Sequence, residues 1–187
     1  SVDVIGQADG ASVADTVATG DEDTAIDLPI SIDNADASET AEITLSGIPQ
    51  GAVLTGANGP ITVTDGVAVL SESDLEGLQI TPPEDSSVDF DLGVSVVTTD
   101  GTSTSEPTTG TISVDVDGVA DVPSLTLGDA TGTEDNAIPL NIQAGLTDTD
   151  GSEVLTVTVS GVPEGATLSA GSYDEATGDW TLSAGDL

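Results

Sequence analysis

Not one of the 187 residues is Lys, Arg or His, while 35 are Asp or Glu, so the chain carries a formal charge of −35. No side-chain salt bridge can form. Every carboxylate must find a backbone N–H, a hydroxyl, water or a metal ion. At physiological salt the screening length is roughly 8 Å, so carboxylates crowded into one domain still repel one another. Contacts to nucleic acid or to an anionic membrane surface are excluded as a function, because no basic group is present to meet a phosphate. Basic partners or divalent cations are the natural counter-charges.

High charge alone does not make a chain disordered; it must be joined to low hydrophobicity. Here 36% of the residues are apolar, and Val, Ile and Leu alternate with polar residues, the signature of half-buried strands. With one Phe, one Tyr and one Trp, the core must be aliphatic. There is no Cys, so no disulfide can staple a small fold, and metal ions are the alternative staple. No apolar run approaches the ~18 residues that span a bilayer, and no signal peptide is visible. The chain has no Met and begins at Ser1, and is expected to be an internal part of a longer polypeptide.

An internal repeat sets the architecture. Ser1-Val2-Asp3-Val4-Ile5-Gly6-Gln7-Ala8-Asp9 recurs as Ser113-Val114-Asp115-Val116-Asp117-Gly118-Val119-Ala120-Asp121, seven of nine positions identical at an offset of 112. Glu22-Asp23-Thr24-Ala25-Ile26 recurs as Glu134-Asp135-Asn136-Ala137-Ile138 at the same offset. Ser46-Gly47-Ile48-Pro49-Gln50-Gly51-Ala52 recurs as Ser160-Gly161-Val162-Pro163-Glu164-Gly165-Ala166 at 114, and Asp74-Leu75 as Asp186-Leu187 at 112. The predicted organisation is therefore the last strand of a preceding repeat at 1–8, a complete repeat at 9–120, and the first part of a second repeat at 121–187. The second repeat lacks counterparts of the strands around Phe90–Val97 and Thr111–Val116, and is expected to need completion by further chain or by a neighbour.

Within the complete repeat, alternating runs punctuated by Gly, Pro, Asn and Asp read as strands. They are Ile26/Leu28/Ile30/Ile32, Ile43/Leu45, Ile61/Val63, Val67/Val69, Phe90/Leu92/Val94/Val96 and Ile112/Val114/Val116. The only helical candidate is a turn at Ser71–Gly77. About seven short strands in some 110 residues predict an all-β fold of tandem immunoglobulin/cadherin-like β-sandwich domains.

The acidic residues cluster in motifs. Asp117 and Asp121 lie in the linker between repeats, with Asp9 the counterpart of Asp121. Glu134-Asp135 follows, with Glu22-Asp23 as its counterpart. Asp148-Thr149-Asp150-Gly151-Ser152-Glu153 comes next, and its counterparts are Asn34, Asp36 and Glu39. Asp100, before Gly101, is a further candidate. Asp and Gly dominate turns in any protein. Yet carboxylates spaced two apart around a tight turn also wrap a hard cation, and Ca2+ takes six to eight oxygen ligands in irregular geometry. Without His or Cys, zinc is disfavoured and oxygen ligation points to calcium.

The Ala-Asp-x-Pro linker, Thr-Glu-Asp-Asn-Ala, Asp-x-Asp-Gly-Ser-Glu, Ser-Gly-Val-Pro-Glu-Gly-Ala-Thr-Leu and Leu-x-Ile-Thr-Pro-Pro together resemble the bacterial cadherin-like tandem repeats that form the extender regions of giant RTX-type surface adhesins. The resemblance spans essentially the whole chain. The glycine-rich nonapeptide that names the RTX group is absent. What the resemblance implies is calcium bound at domain junctions, export by a type I secretion system, and a place at the cell surface of a Gram-negative, marine bacterium. Its partners would be neighbouring repeats of the same chain, with no nucleic acid and no direct membrane insertion.

Enzymatic function finds no support. A nucleophile pair needs His or Cys, and a carboxylate pair for glycoside hydrolysis would want aromatic sugar platforms. The leading expectation is a structural spacer for adhesion or biofilm formation. The alternatives are a subunit of an extracellular filament or sheath of identical chains, and a repeat that itself grips a glycan or matrix partner.

Overall fold

The computed structural model describes residues 7–33 and 39–187. The expected strand at 1–8 lies mostly outside them, as do Asn34 and Asp36. Among the described residues the structure is all-β apart from two single 3-10 turns at Glu72–Asp74 and Ala184–Asp186, and the chain divides into two compact units, Ser1–Val119 and Ala120–Leu187.

The first unit holds β1 (Ser12–Val13), β2 (Thr16–Asp21), β3 (Ile26–Asp27), β4 (Ile32–Asp33), β5 (Thr40–Ser46), β6 (Val53–Gly56), β7 (Gly59–Pro60), β8 (Val67–Ser71), β9 (Gln79–Thr81), β10 (Phe90–Asp100), β11 (Ser103–Thr104) and β12 (Thr108–Asp117). One sheet runs β2-β12-β10-β5-β8 and the other β3-β9-β6-β7. All these pairings are antiparallel except β2 with β12, which is parallel. A strand near the start of the unit lying parallel to its last strand suits an immunoglobulin-like sandwich. Between the sheets Ile43, Leu45, Leu54, Ile80, Leu92, Val96, Ile112 and Val114 are each less than 2% exposed. Burying one such side chain stabilises by about 1.5–3 kcal/mol, and with no aromatic at the centre this aliphatic layer holds the sandwich together.

Two predicted strands differ in detail. The alternation Ile26–Ile32 is not one strand: β3 pairs β9 while β4 pairs β1. Pro29 lies between them and has no N–H to give to a ladder. In β8 the inward residues are Ala68 and Leu70, not Val67 and Val69, which are 36% and 60% exposed. The register with β5 decides this, because Leu70 lies opposite Ile43 and Ala68 opposite Leu45, and directly opposed residues share a face.

The second unit holds β13 (Ser124–Gly128), β14 (Asn141–Gly145), β15 (Thr156–Val159), β16 (Ser172–Asp174) and β17 (Asp179–Ser183). It repeats the local geometry of the first. Ser12 pairs Asp33 and Ser124 pairs Gly145, both at an offset of 112. Glu42 pairs Ser71 and Thr156 pairs Ser183 in the same register. Asp23 and Asp135 both take left-handed backbone, φ 57° and 60°. A Cβ on Gly20 would lie 2.8 Å from Ile26, and one on Gly132 2.4 Å from Ile138. Among its described residues this unit carries no counterpart of β9, β10 or β12. Only Leu155 and Leu182 of this unit are buried hydrophobics.

Candidate metal centre

The acidic motifs sort to the two ends of a repeat unit. In the first unit, β12 runs from Thr108 to Asp117 beside β2, which runs the same way from Thr16 to Asp21. At roughly 3.3 Å per residue this separates the two ends by about 30 Å.

At the end where the chain enters, Asp9 donates its backbone N–H to Glu39 Oε1 at 2.5 Å. Glu39 is 6% exposed, and its Oε2 is buried with no hydrogen-bond partner among the described residues. Thr98, fully buried, donates its hydroxyl to the Asp9 carbonyl. Asp100 follows the Thr40–Thr99 pair along the ladder and so reaches the same end. Asp9 itself is exposed. Here the sequence-predicted Asp9 and Glu39 meet, and Asp100 lies at the same end of the sheet.

At the other end, Glu22 is buried. Its N–H donates to the Asp117 carbonyl at 2.9 Å, and its Oε1 accepts the Val119 N–H at 2.7 Å. Asp23 Oδ1 accepts the Asp85 N–H at 2.9 Å, and carboxylate oxygens of Asp23 and Asp85 lie within 4.8 Å of each other. Asp117 is exposed. Asp85 was missed in the sequence because motifs were found there by repetition, and the second unit has no counterpart of it. Its own signal was the Pro-Pro-Glu-Asp turn, where Asp85 takes φ 51°.

The second unit rebuilds the entering end. Asp121 donates its N–H to Glu153 Oε1, and Glu153 Oε2 is again buried without a partner among the described residues. Asp148 is 1% exposed. Its Oδ1 accepts the Asp150 N–H at 2.7 Å and its Oδ2 the Ser152 hydroxyl at 2.9 Å. Asp150 Oδ1 accepts the Ser152 N–H at 2.8 Å, with Gly151 at φ 103° making the turn. Carboxylate oxygens of Asp148 and Asp150 approach within 4.8 Å.

Glu134 and Asp135 do not join this set. Both are exposed, and among the described residues no hydrogen bond links them to Asp121, Asp148 or Glu153. They are the counterparts of Glu22 and Asp23, which lie where the chain leaves the first unit, so sharing a repeat does not place them with the entering-end carboxylates.

Clusters of acidic oxygens such as these could bind a metal ion. The donor set is all oxygen, and a buried anionic oxygen without a donor is costly unless a cation offsets it. The residues present therefore fit a hard cation.

Among the described residues no helix is long and apolar enough to cross a membrane. No family model matches the chain, and no curated protein does. Among solved structures, the crystal structure of murine CEACAM1b is similar over 94% of this chain and 87% of that one, at 14% identity and a TM-score of 0.28.

Proposed function

We propose that the chain is a calcium-stabilised structural extender repeat of a large secreted bacterial adhesin, serving to project a distal binding domain in cell adhesion or biofilm formation. One observation carries the reading. Glu39 and Glu153, 114 residues apart, each hold one carboxylate oxygen on the linker Asp N–H and bury the other with no partner among the described residues. Duplication of so costly an arrangement argues for a ligand that both repeats take. Ca2+ suits it, because Ca2+ prefers oxygen donors of mixed kind and tolerates irregular geometry. Glu39 with Asp9 and Asp100, and Glu153 with Asp121, Asp148 and Asp150, would hold such ions. At these positions the ion neutralises carboxylates that no base in the chain can reach. The missing bases also remove every trypsin site, which suits an exposed stalk.

The test is thermal melting with Ca2+ and with chelator at matched ionic strength. A rise in melting temperature that Mg2+ at equal concentration does not reproduce supports the reading. Equal melting in Ca2+ and in chelator overturns it.

A further inference from the structure

We infer that Thr98 and Ser103 form, together with Glu39, a clamp on the main chain of the entering segment, and that Thr98 is thereby a positioning residue for the cation site at Glu39. The positioning role rests on the calcium reading above. The clamp rests on hydrogen bonds within the first unit alone.

β10 alternates between the core and the outer surface of its sheet. Its inward positions run Leu92, Val94, Val96 and Thr98, exposed by 0%, 3%, 1% and 0%. The first three are apolar and pack inside the sandwich. The fourth carries a hydroxyl, and a buried hydroxyl costs stability unless it is hydrogen-bonded. Valine has the same branched shape without that demand. Thr98 meets the demand by donating to the Asp9 carbonyl, 89 residues away in sequence.

Two further side chains hold the neighbouring backbone groups. Ser103, on β11, accepts the Ala8 N–H on its hydroxyl at 3.1 Å. Glu39 accepts the Asp9 N–H on Oε1 at 2.5 Å. The Ala8 N–H, the Asp9 N–H and the Asp9 carbonyl are thus each met by a side chain, from three different segments of the unit. The clamp is itself braced. The Thr98 N–H donates to the Ser105 hydroxyl at 3.1 Å, and the Thr98 carbonyl accepts the Ser105 N–H at 3.0 Å. The segment carrying Ser103 is therefore tied to Thr98 just past the Thr99–Thr104 pair.

This arrangement spends the main chain of Asp9 and leaves its exposed carboxylate without a hydrogen bond among the described residues. Glu39 Oε2 is likewise left over, and it is buried. Both spare acceptors belong to residues that the clamp holds. A carboxylate on a loose segment must be ordered before it can ligate, and the clamp meets that cost in advance. Groups that hold a ligand residue in place change metal affinity by about 10–100-fold when removed.

NMR of the full chain reads both halves of the inference. In chelator, the Ala8 and Asp9 amides should exchange about tenfold or more slowly than those of Asn58 and Thr102, which lie in exposed turns. Thr98→Val should speed exchange at Ala8 and Asp9 by about fivefold to tenfold, while β5 and β12 stay protected. It should also weaken the Ca2+ response of the Asp9 amide and the Glu39 carboxyl by about tenfold. Thr98→Ser keeps the hydroxyl and should restore both signals. Ser103→Ala should free the Ala8 amide and lower Ca2+ affinity less than Thr98→Val does. Exchange at Ala8 and Asp9 as fast as at Asn58 and Thr102 overturns the clamp. A Ca2+ response that Thr98→Val leaves unchanged, or that Thr98→Ser fails to restore, overturns the positioning role while the calcium reading stands. No Ca2+ response at Asp9 and Glu39 in the parent overturns the calcium reading, and the positioning role with it, whatever the exchange rates.

Discussion

Glu39 accepts the Asp9 N–H on Oε1 at 2.5 Å and buries Oε2 with no donor among the described residues. Half of this carboxylate therefore anchors the incoming linker while the other half meets no partner among the described residues. Calcium at tenfold excess over its dissociation constant should stabilise the first unit by roughly 1.4 kcal/mol per site. Glu39→Gln keeps the acceptor for Asp9 but loses the charge. It should cancel most of that gain in calcium, while in chelator it should be at least as stable as the parent, since a buried anion is gone. Melting both proteins in both buffers checks the crossover. A parallel loss in both buffers would make Glu39 merely structural.

Ile26 and Ile138 occupy the same motif in the two repeats, yet one is buried and the other half exposed. Ile26→Ala should cost about 2–5 kcal/mol, the usual range for a buried large-to-small change. Ile138→Ala should cost under about 1 kcal/mol. Urea unfolding followed by circular dichroism reads the first. The second can be followed by fluorescence, because the only Trp of the chain, Trp180, lies in the second unit.

The all-β class was legible beforehand, because Val, Ile and Leu alternate with polar residues along the strands. The repeat offset marked the paired acidic motifs, of which Glu39 and Glu153 make the same contact to a linker Asp. The inward phase of β8 was not legible, because Val-Ala-Val-Leu is apolar on both faces and only pairing with Ile43 and Leu45 chooses between them. The division of the acidic motifs between two ends was equally hidden. Sequence order runs Asp9, Glu22, Glu39, but β2 carries the chain away from the first end and later strands bring it back. Asp85 and Thr98 escaped notice because each meets a residue distant in sequence, Asp23 and Asp9 respectively.

Asp74 caps its own 3-10 turn. The Ser71 hydroxyl and then the Ser71 N–H, at 2.7 and 2.8 Å, hold its carboxyl below the usual range. A carboxyl depressed in the folded state contributes stability above its unfolded value, and that contribution is lost as pH falls through the folded value. Ser71→Ala removes the larger of the two causes, so Asp74 should titrate closer to an ordinary aspartate and the acid side of the stability profile should flatten. At Asp186 the Ser183 N–H is the larger cause, so Ser183→Ala should move Asp186 less. Carboxyl carbon shifts followed by NMR from pH 6 to pH 2 measure both.

Gly47 and Gly161 separate backbone strain from missing structure. Both have positive φ, 83° and 74°, so an alanine at either site carries a left-handed penalty of about 1–2 kcal/mol. Only at Gly47 does the new methyl also meet backbone, the Asp91 carbonyl at 2.6 Å, which lies within β10 and cannot swing aside as a flexible side chain would. Gly47→Ala should therefore destabilise its unit by clearly more than Gly161→Ala destabilises the other. The difference should then close when residues 76–119 are appended after Leu187, because the added strand would carry an equivalent carbonyl to Gly161. Chemical denaturation of the parent, the two variants, and the appended chain with and without Gly161→Ala, read by circular dichroism and by Trp180, gives both differences. If Gly161→Ala costs the same with and without the appended segment, no strand passes Gly161 as β10 passes Gly47.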